Sequence, residues 1–246
     1  MILTGKAALV TGGRRIGAVV ARTLGARGMD VALSYHRSRG QAERVVTDIE
    51  GAGRRAVAIA ADLSDPQACA ALVNGAAAAF GRLDAVIHLA SVYVRRPLSE
   101  TDAAAWASVM DVDLRAAFLC AQAAIPHLRA AGGGRIVNVS DWVAASGRPR
   151  YQGYLPYYVA KRAVIGLTES LALELARDGI LVNTIAPGPI VPPEGSTPEH
   201  IASVEAATPI GRWGGAEAIA SAVLFCLESD FMTGETIRVD GGRHVA

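Results

Sequence analysis

The sequence lacks most features that would assign a protein to a specialised environment. It has no excess of charge: 24 Lys and Arg stand against 23 Asp and Glu, a net charge of +1. That balance leaves no electrostatic footprint for nucleic acid. No apolar run reaches the roughly 18 residues that a membrane span needs, although 51% of the 246 residues are hydrophobic. The first residues, Met1-Ile2-Leu3-Thr4-Gly5-Lys6, carry no signal-peptide pattern and lead straight into an apolar strand. Cysteines are few: Cys69, Cys120 and Cys226 lie far apart in apolar stretches. An odd, scattered set argues against a disulfide framework and for a reducing, cytoplasmic setting. The five histidines show no metal-ligand spacing, so no metal site is expected. No repeat and no linker divides the chain, which is long enough for one large core, so residues 1–246 are expected to form one domain.

What is present is alternation. Ala7 to Val10, Val31 to Ser34, Val57 to Ala60, Ala85 to Leu89, Arg135 to Val139, Leu181 to Ile185 and Thr236 to Val239 read as seven strands. They are apolar almost throughout, as parallel strands covered on both faces must be. Arg15 to Arg27, Gln41 to Glu50, Pro66 to Phe80, Thr101 to Ala130, Tyr158 to Ala176 and Ala216 to Leu227 read as helices. Asp65-Pro66 has the form of an N-cap followed by proline at the first helical position. Strand–helix alternation of this kind predicts an α/β fold, a Rossmann-like doubly wound, seven-stranded parallel sheet flanked by helices. Pro187 to Gly215 interrupts the pattern; this stretch, about 187–215, is expected to cover a site as a loop with a short helix over Glu199 to Ala207.

The first strand runs into Thr11-Gly12-Gly13-Arg14-Arg15-Ile16-Gly17. Glycines allow a phosphate to approach the backbone, and the helix start that follows supplies N–H donors. The second strand ends in Ser34-Tyr35-His36-Arg37-Ser38. It has no Asp or Glu to accept from the ribose 2′-hydroxyl of NAD. His36, Arg37 and Ser38, with Arg15 in the glycine turn, suit a 2′-phosphate instead, so NADP(H) is the expected cofactor. Asp62 ends the third strand and has two readings: acceptor from the adenine amino group, or cap of the following turn.

Thr11-Gly12, Asp62, Arg135-Ile136-Val137-Asn138-Val139-Ser140-Asp141, Tyr157-x-x-x-Lys161, Pro187-Gly188 and Val239-Asp240-Gly241-Gly242 occur in that order. The ordered set resembles the short-chain dehydrogenase/reductase family over essentially the whole chain. Tyr157 and Lys161, four apart, share a helix face. An ammonium near a phenol favours the phenolate, so the pair is expected to bring the Tyr157 pKa down towards use in proton transfer. The resemblance implies that Lys161 also holds the nicotinamide ribose. It implies cofactor contacts at Gly12, Arg14, Ile16, Leu63, Ala90, Ser91, Pro187 and Gly188. It also implies a tetramer packed through the long fourth and fifth helices.

Four features resemble a narrower branch, the pteridine and dihydropterin reductases. These are Arg15 in Arg-Ile-Gly, the segment Tyr35-His36-Arg37-Ser38, Ala90-Ser91-Val92-Tyr93 after the fourth strand, and Asp141 where the family has a Ser. In that branch the aromatic stacks a pterin on the nicotinamide, which makes Tyr93 a substrate residue here. Asp141 suits a nitrogen ring better than a carbonyl, since an ionised carboxylate repels a developing oxyanion. The expected function is therefore NADPH-dependent reduction of a pterin or dihydropterin C=N, with Tyr157 and Asp141 handling the proton and Trp142 shaping the pocket. A carbonyl reductase acting on a 3-oxoacyl or other ketone substrate is the alternative. An NADP-binding regulatory protein without turnover is the reading from another class. Departures from the family pattern are a glycine turn one residue short, His88-Leu89 in place of Asn-Asn, and Asp113 where a catalytic Asn stands. Of the four tyrosines before Lys161, Tyr151 and Tyr154 are assigned to a lengthened loop, and Tyr158 is expected to face away.

Overall fold

Seven short apolar segments pair side by side in a computed structural model that describes all residues, Met1–Ala246. They are β1 (Ala7–Thr11), β2 (Asp30–Tyr35), β3 (Ala56–Ala60), β4 (Ala85–His88), β5 (Gly134–Val139), β6 (Ile180–Pro187) and β7 (Thr236–Val239). Every pairing is parallel and the order is β3-β2-β1-β4-β5-β6-β7. The strand order reverses between β1 and β4, where Thr11 pairs with His88. A crevice opens beyond the carboxyl ends of the strands at such a switch point.

Alternate residues of a strand serve opposite faces. Ala7 and Leu9 of β1 enter one core cluster with Leu72, Cys120, Leu128 and Ile136, while Ala8 and Val10 enter the other with Leu24, Val45, Ile87 and Val223. The first cluster packs beneath α3 (Pro66–Phe80), α5 (Ala116–Ala130) and α7 (Leu155–Leu175). The second packs beneath α1 (Ile16–Ala26), α2 (Arg39–Gly51) and α9 (Ala216–Glu228). Leu9, Leu24, Ile87 and Leu128 are fully buried, and each such side chain contributes about 1.5–3 kcal/mol by leaving water. No helix is long and apolar enough to cross a membrane.

Local chemistry sets the element ends. Asp65 caps α3 by accepting from the Gln67 N–H at 2.9 Å, with Pro66 at the first helical position. α7 starts earlier than Tyr158 because Pro156 fits its first turn. The expected helix over Thr101 to Ala130 is instead α4 (Ala103–Met110), a π-helical turn over Asp111–Arg115, and α5. The wider turn carries Asp113, which is completely buried. A short helix not foreseen from the sequence, α6 (Trp142–Ala145), follows β5, and α8 (Pro198–Ala206) lies in the loop after β6.

Candidate active site

The crevice at the β1/β4 switch is a cavity of about 1370 Å³. Its wall runs from the glycine turn, past the ends of β2 and β3, to Asp141, Tyr157 and Lys161, and under the loop after β6.

The glycine turn is built for close approach. Gly12 has φ +79°, and a Cβ there would lie 2.9 Å from the Ala90 nitrogen. A Cβ on Gly17 would lie 2.0 Å from the Gly12 carbonyl oxygen. Thr11 Oγ1 accepts from the Leu89 and Ala90 N–H groups, both at 3.1 Å, and lies 3.2 Å from His88 Nδ1. Because that hydroxyl already accepts twice, its proton goes to Nδ1, which leaves the other ring nitrogen to donate to the Val112 carbonyl at 3.4 Å. Burial and the nearby Lys161 charge push the His88 pKa down to about 4, so the ring is neutral. Thr11 and His88 thus bridge β1 and β4 where the family pattern has an amide.

The wall at the ends of β2 and β3 includes Tyr35, His36, Arg37, Ser38, Asp62 and Leu63. Arg37 has no carboxylate partner, and no acid stands at the end of β2. His36 Nε2 lies 3.8 Å from Asp62 Oδ2. Asp62 Oδ1 accepts from the Ser64 N–H at 3.0 Å and the Ser64 hydroxyl at 2.7 Å, which holds its carboxyl below the usual range. Of its two sequence readings, the turn cap is the one formed here. Arg14 and Arg15 line the cavity but are engaged with the loop after β6. Arg14 pairs with Glu194 at 2.9 Å, and Arg15 donates to the carbonyls of Val191 and Pro192 at 3.0 and 2.6 Å. The short turn puts Arg15 at φ 47°, the one residue other than glycine with positive φ. The close-approach glycine, the unpaired Arg37 and the acid-free end of β2 fit a phosphorylated dinucleotide. Arg15 is not free to meet it unless it leaves the loop.

At the far end, Tyr157 donates from its hydroxyl to Asp141 Oδ2 at 3.1 Å. Asp141 also caps α6, accepting from the Val143 N–H at 2.7 Å. Burial pushes the Asp141 carboxyl above its usual range, against the opposing pull of Val143, Tyr157 and Lys161. Lys161 is buried, with Nζ 2.9 Å from the Val139 carbonyl and 3.0 Å from Asp113 Oδ1. Asp113 accepts as well from the Ser91 hydroxyl and from the Val92 N–H at 2.7 Å. The expected lowering of the Tyr157 pKa is not found. Burial first, then Asp141 and Asp113, raise it well above 10. Burial of the phenol is the main reason, and the two carboxylates add to it, Asp113 while also pairing with Lys161.

Tyr93 stands beside this group, 4.8 Å from the Tyr157 ring in an edge-on contact. It stacks at 4.7 Å on Tyr154, whose place at the site the sequence reading missed. Tyr158, expected to face away, lines the same cavity. Trp142 is buried on the wall with Tyr151 against it, and two further residues, Arg150 and Arg243, lie over its ring. Ala90, Ser91, Pro187 and Gly188 complete the middle of the wall. No group of three His, Cys, Asp or Glu side chains is placed to hold a metal.

This arrangement has known counterparts. A family profile described as enoyl-(acyl carrier protein) reductase matches residues 10–244. The cis-4-hydroxycyclohexanecarboxylate dehydrogenase of Sinomonas cyclohexanicum is 39% identical over 246 residues, covering 96% of each chain. The 3-oxoacyl-(acyl-carrier-protein) reductase of Staphylococcus aureus is 37% identical, covering 98% of each. A crystal structure of a short-chain dehydrogenase from Burkholderia cenocepacia in complex with NADP superimposes with a TM-score of 0.92 at 36% identity, covering both chains completely.

Proposed function

The chain belongs to the short-chain dehydrogenase/reductase family, and from that premise we propose that it is an NADP(H)-dependent reductase of a polarised double bond. The observation that carries this reading is the meeting of Tyr157, Asp141 and Lys161 in one cavity with the glycine turn. The cofactor, when bound, supplies the hydride. Gly12, Ile16 and the start of α1 would receive its pyrophosphate, and Arg37, Ser38 and His36 its 2′-phosphate. Leu63 with Asp62 would flank the adenine, Lys161 would hold the nicotinamide ribose, and Ala90, Ser91, Pro187 and Gly188 would line the nicotinamide side. Arg14 and Arg15 join them once released from the loop. The NADP complex of the Burkholderia relative supports this choice of cofactor.

The chain's own residues account for the proton. Tyr157 with its raised pKa stays a phenol at neutral pH, so it acts as an acid and donates in the direction of reduction. Asp141 accepts from the Tyr157 hydroxyl at 3.1 Å and orients it towards the substrate. Asp113 acts as a positioning residue, fixing Lys161 and tuning Tyr157 through it.

A carbonyl is the first substrate class. The named activities of the Sinomonas and Staphylococcus relatives support it, and the burial that raises the Asp141 carboxyl lessens the repulsion it offers an oxyanion. A pterin C=N is the second reading. Asp141 in the place of Ser supports it, as does the exposed Tyr93 stacked on Tyr154. The test is oxidation of NADPH with a cyclic ketone and a 3-oxoacyl thioester beside dihydrobiopterin, dihydromonapterin and dihydrofolate. Turnover of the ketones alone supports the first reading, and turnover of the pterins alone supports the second. Tyr157→Phe is expected to lower the active reaction by about 10²–10⁴. Tight NADPH binding without turnover of any substrate would favour the regulatory reading. The buried, unpaired cysteines support a reducing, cytoplasmic location. We propose a homotetramer on the family resemblance and on the exposed apolar side chains of α5 and α7.

A further inference from the structure

Two guanidinium groups lie over one indole. The Arg150 Cζ is 5.0 Å from the centre of the Trp142 ring and the Arg243 Cζ is 5.8 Å from it. The ring attracts each cation, but the two cations repel one another. Neither pairs with an Asp or Glu side chain. Arg150 donates to a main-chain oxygen of the last residue, Ala246, at 3.3 Å and Arg243 to the Val204 carbonyl oxygen at 3.4 Å, both long for hydrogen bonds. Each fork carries five N–H donors, so most of them have no protein acceptor. Both residues line the cavity that holds Tyr157 and Asp141.

The acids on that wall are Asp62 and Asp141 alone. Asp62 sits at the end of β3 with His36, beside the proposed 2′-phosphate site. Asp141 is pushed towards its neutral form by burial. No side-chain carboxylate therefore competes for the two arginines, and an anion placed between them relieves their repulsion and displaces the long contact from Arg150 to Ala246. Planar forks of this kind match a carboxylate in bidentate geometry. Trp142 lines the same cavity as Asp141 and Tyr157, so an anion over its ring shares that cavity with the proton-transfer pair.

We infer that the substrate of this reductase carries a carboxylate, held by Arg150 and Arg243 over Trp142 while its reducible group faces Tyr157 and Asp141. The inference rests on the reductase reading for the reducible group, but the charge preference can be measured without turnover. The experiment titrates cyclohexanecarboxylate, and separately its uncharged methyl ester, into the NADP⁺ complex while following tryptophan fluorescence or heat. The acid is expected to bind at least about tenfold more tightly than the ester. Arg150→Gln with Arg243→Gln is expected to remove that difference while moving the ester's affinity by less than about twofold. Arg243→Lys alone is expected to keep part of the difference, since it keeps the charge and loses the fork. NADP⁺ affinity and thermal unfolding report whether each variant is folded. Equal affinity for acid and ester, no measurable binding of the acid, or a preference that survives in the folded double variant overturns the inference. Failure of the reductase reading looks different: the acid is preferred, yet no carbonyl or pterin oxidises NADPH.

Discussion

Asp113 and Asp141 both bear on Tyr157, and substitution can separate their effects. Asp113 accepts from Lys161, and that pairing withholds the ammonium's charge from the phenol. In Asp113→Asn the charge is no longer offset, so the Tyr157 pKa falls. Reduction needs the phenol protonated, so the alkaline limb of its kcat/KM profile is expected to move down by about one pH unit. An unmoved limb would mean that Asp113 does not tune Tyr157. Asp141 is tested by stability. Its folded pKa lies above the usual carboxyl value of about 4. The folded state therefore holds its proton more tightly than the unfolded state. Stability is lost as pH rises from that ordinary value through the folded pKa. Asp141→Asn, which can still cap α6, is expected to unfold at a higher temperature than the parent at pH 7. The advantage should fade towards pH 4. Thermal melts across that range check the sign. Tyr157 and Lys161 were readable from sequence because helix periodicity alone brings them together. Asp113 was linked to Lys161 only through the family resemblance; their direct pairing depends on where one helix meets another.

At the scale of elements, the strand ends hold the site and the glycine turn sets its floor. Gly12→Ala has to place a Cβ at φ +79°, at a cost of about 1 kcal/mol. That Cβ also meets the Ala90 nitrogen at 2.9 Å, a backbone atom with little freedom to move. NADPH affinity is expected to fall at least about tenfold, read by cofactor fluorescence. Affinity within twofold of the parent would mean that the turn is not the pyrophosphate site. The seven strands could be read because buried parallel strands are uniformly apolar. The π-helical turn at Asp111–Arg115 could not, because an Ala-rich helix reads the same with or without one extra residue in a turn. The helix α6 escaped notice because four residues carry no periodicity, although Asp141, the residue that caps it, was singled out for another reason.

At the scale of the whole molecule, the sheet is covered on both faces, and some large apolar residues are left outside. The cluster of Trp142, Arg150 and Arg243 shows what sequence cannot supply at this scale: its members come from β5's exit, a loop and the chain's last residues. The outer surface shows a second case. Phe118 of α5 and Leu155, Val159 and Leu173 of α7 are exposed. On α7 their spacing follows one stripe, and Gly166 within it has open space above its backbone. Phe225 of α9 and Phe231, which is fully exposed, mark a different face. Two apolar faces on one chain allow two isologous contacts, and two such contacts with perpendicular axes close a tetramer. The protein is therefore expected to elute and scatter light at the mass of four chains. Phe225→Asp with Phe231→Asp is expected to leave a dimer joined through α5 and α7, while Leu173→Asp with Phe118→Asp leaves a dimer joined through the other face. A parent that scatters as a monomer would refute both contacts, and a tetramer that survives one pair of substitutions would remove that face from the assembly.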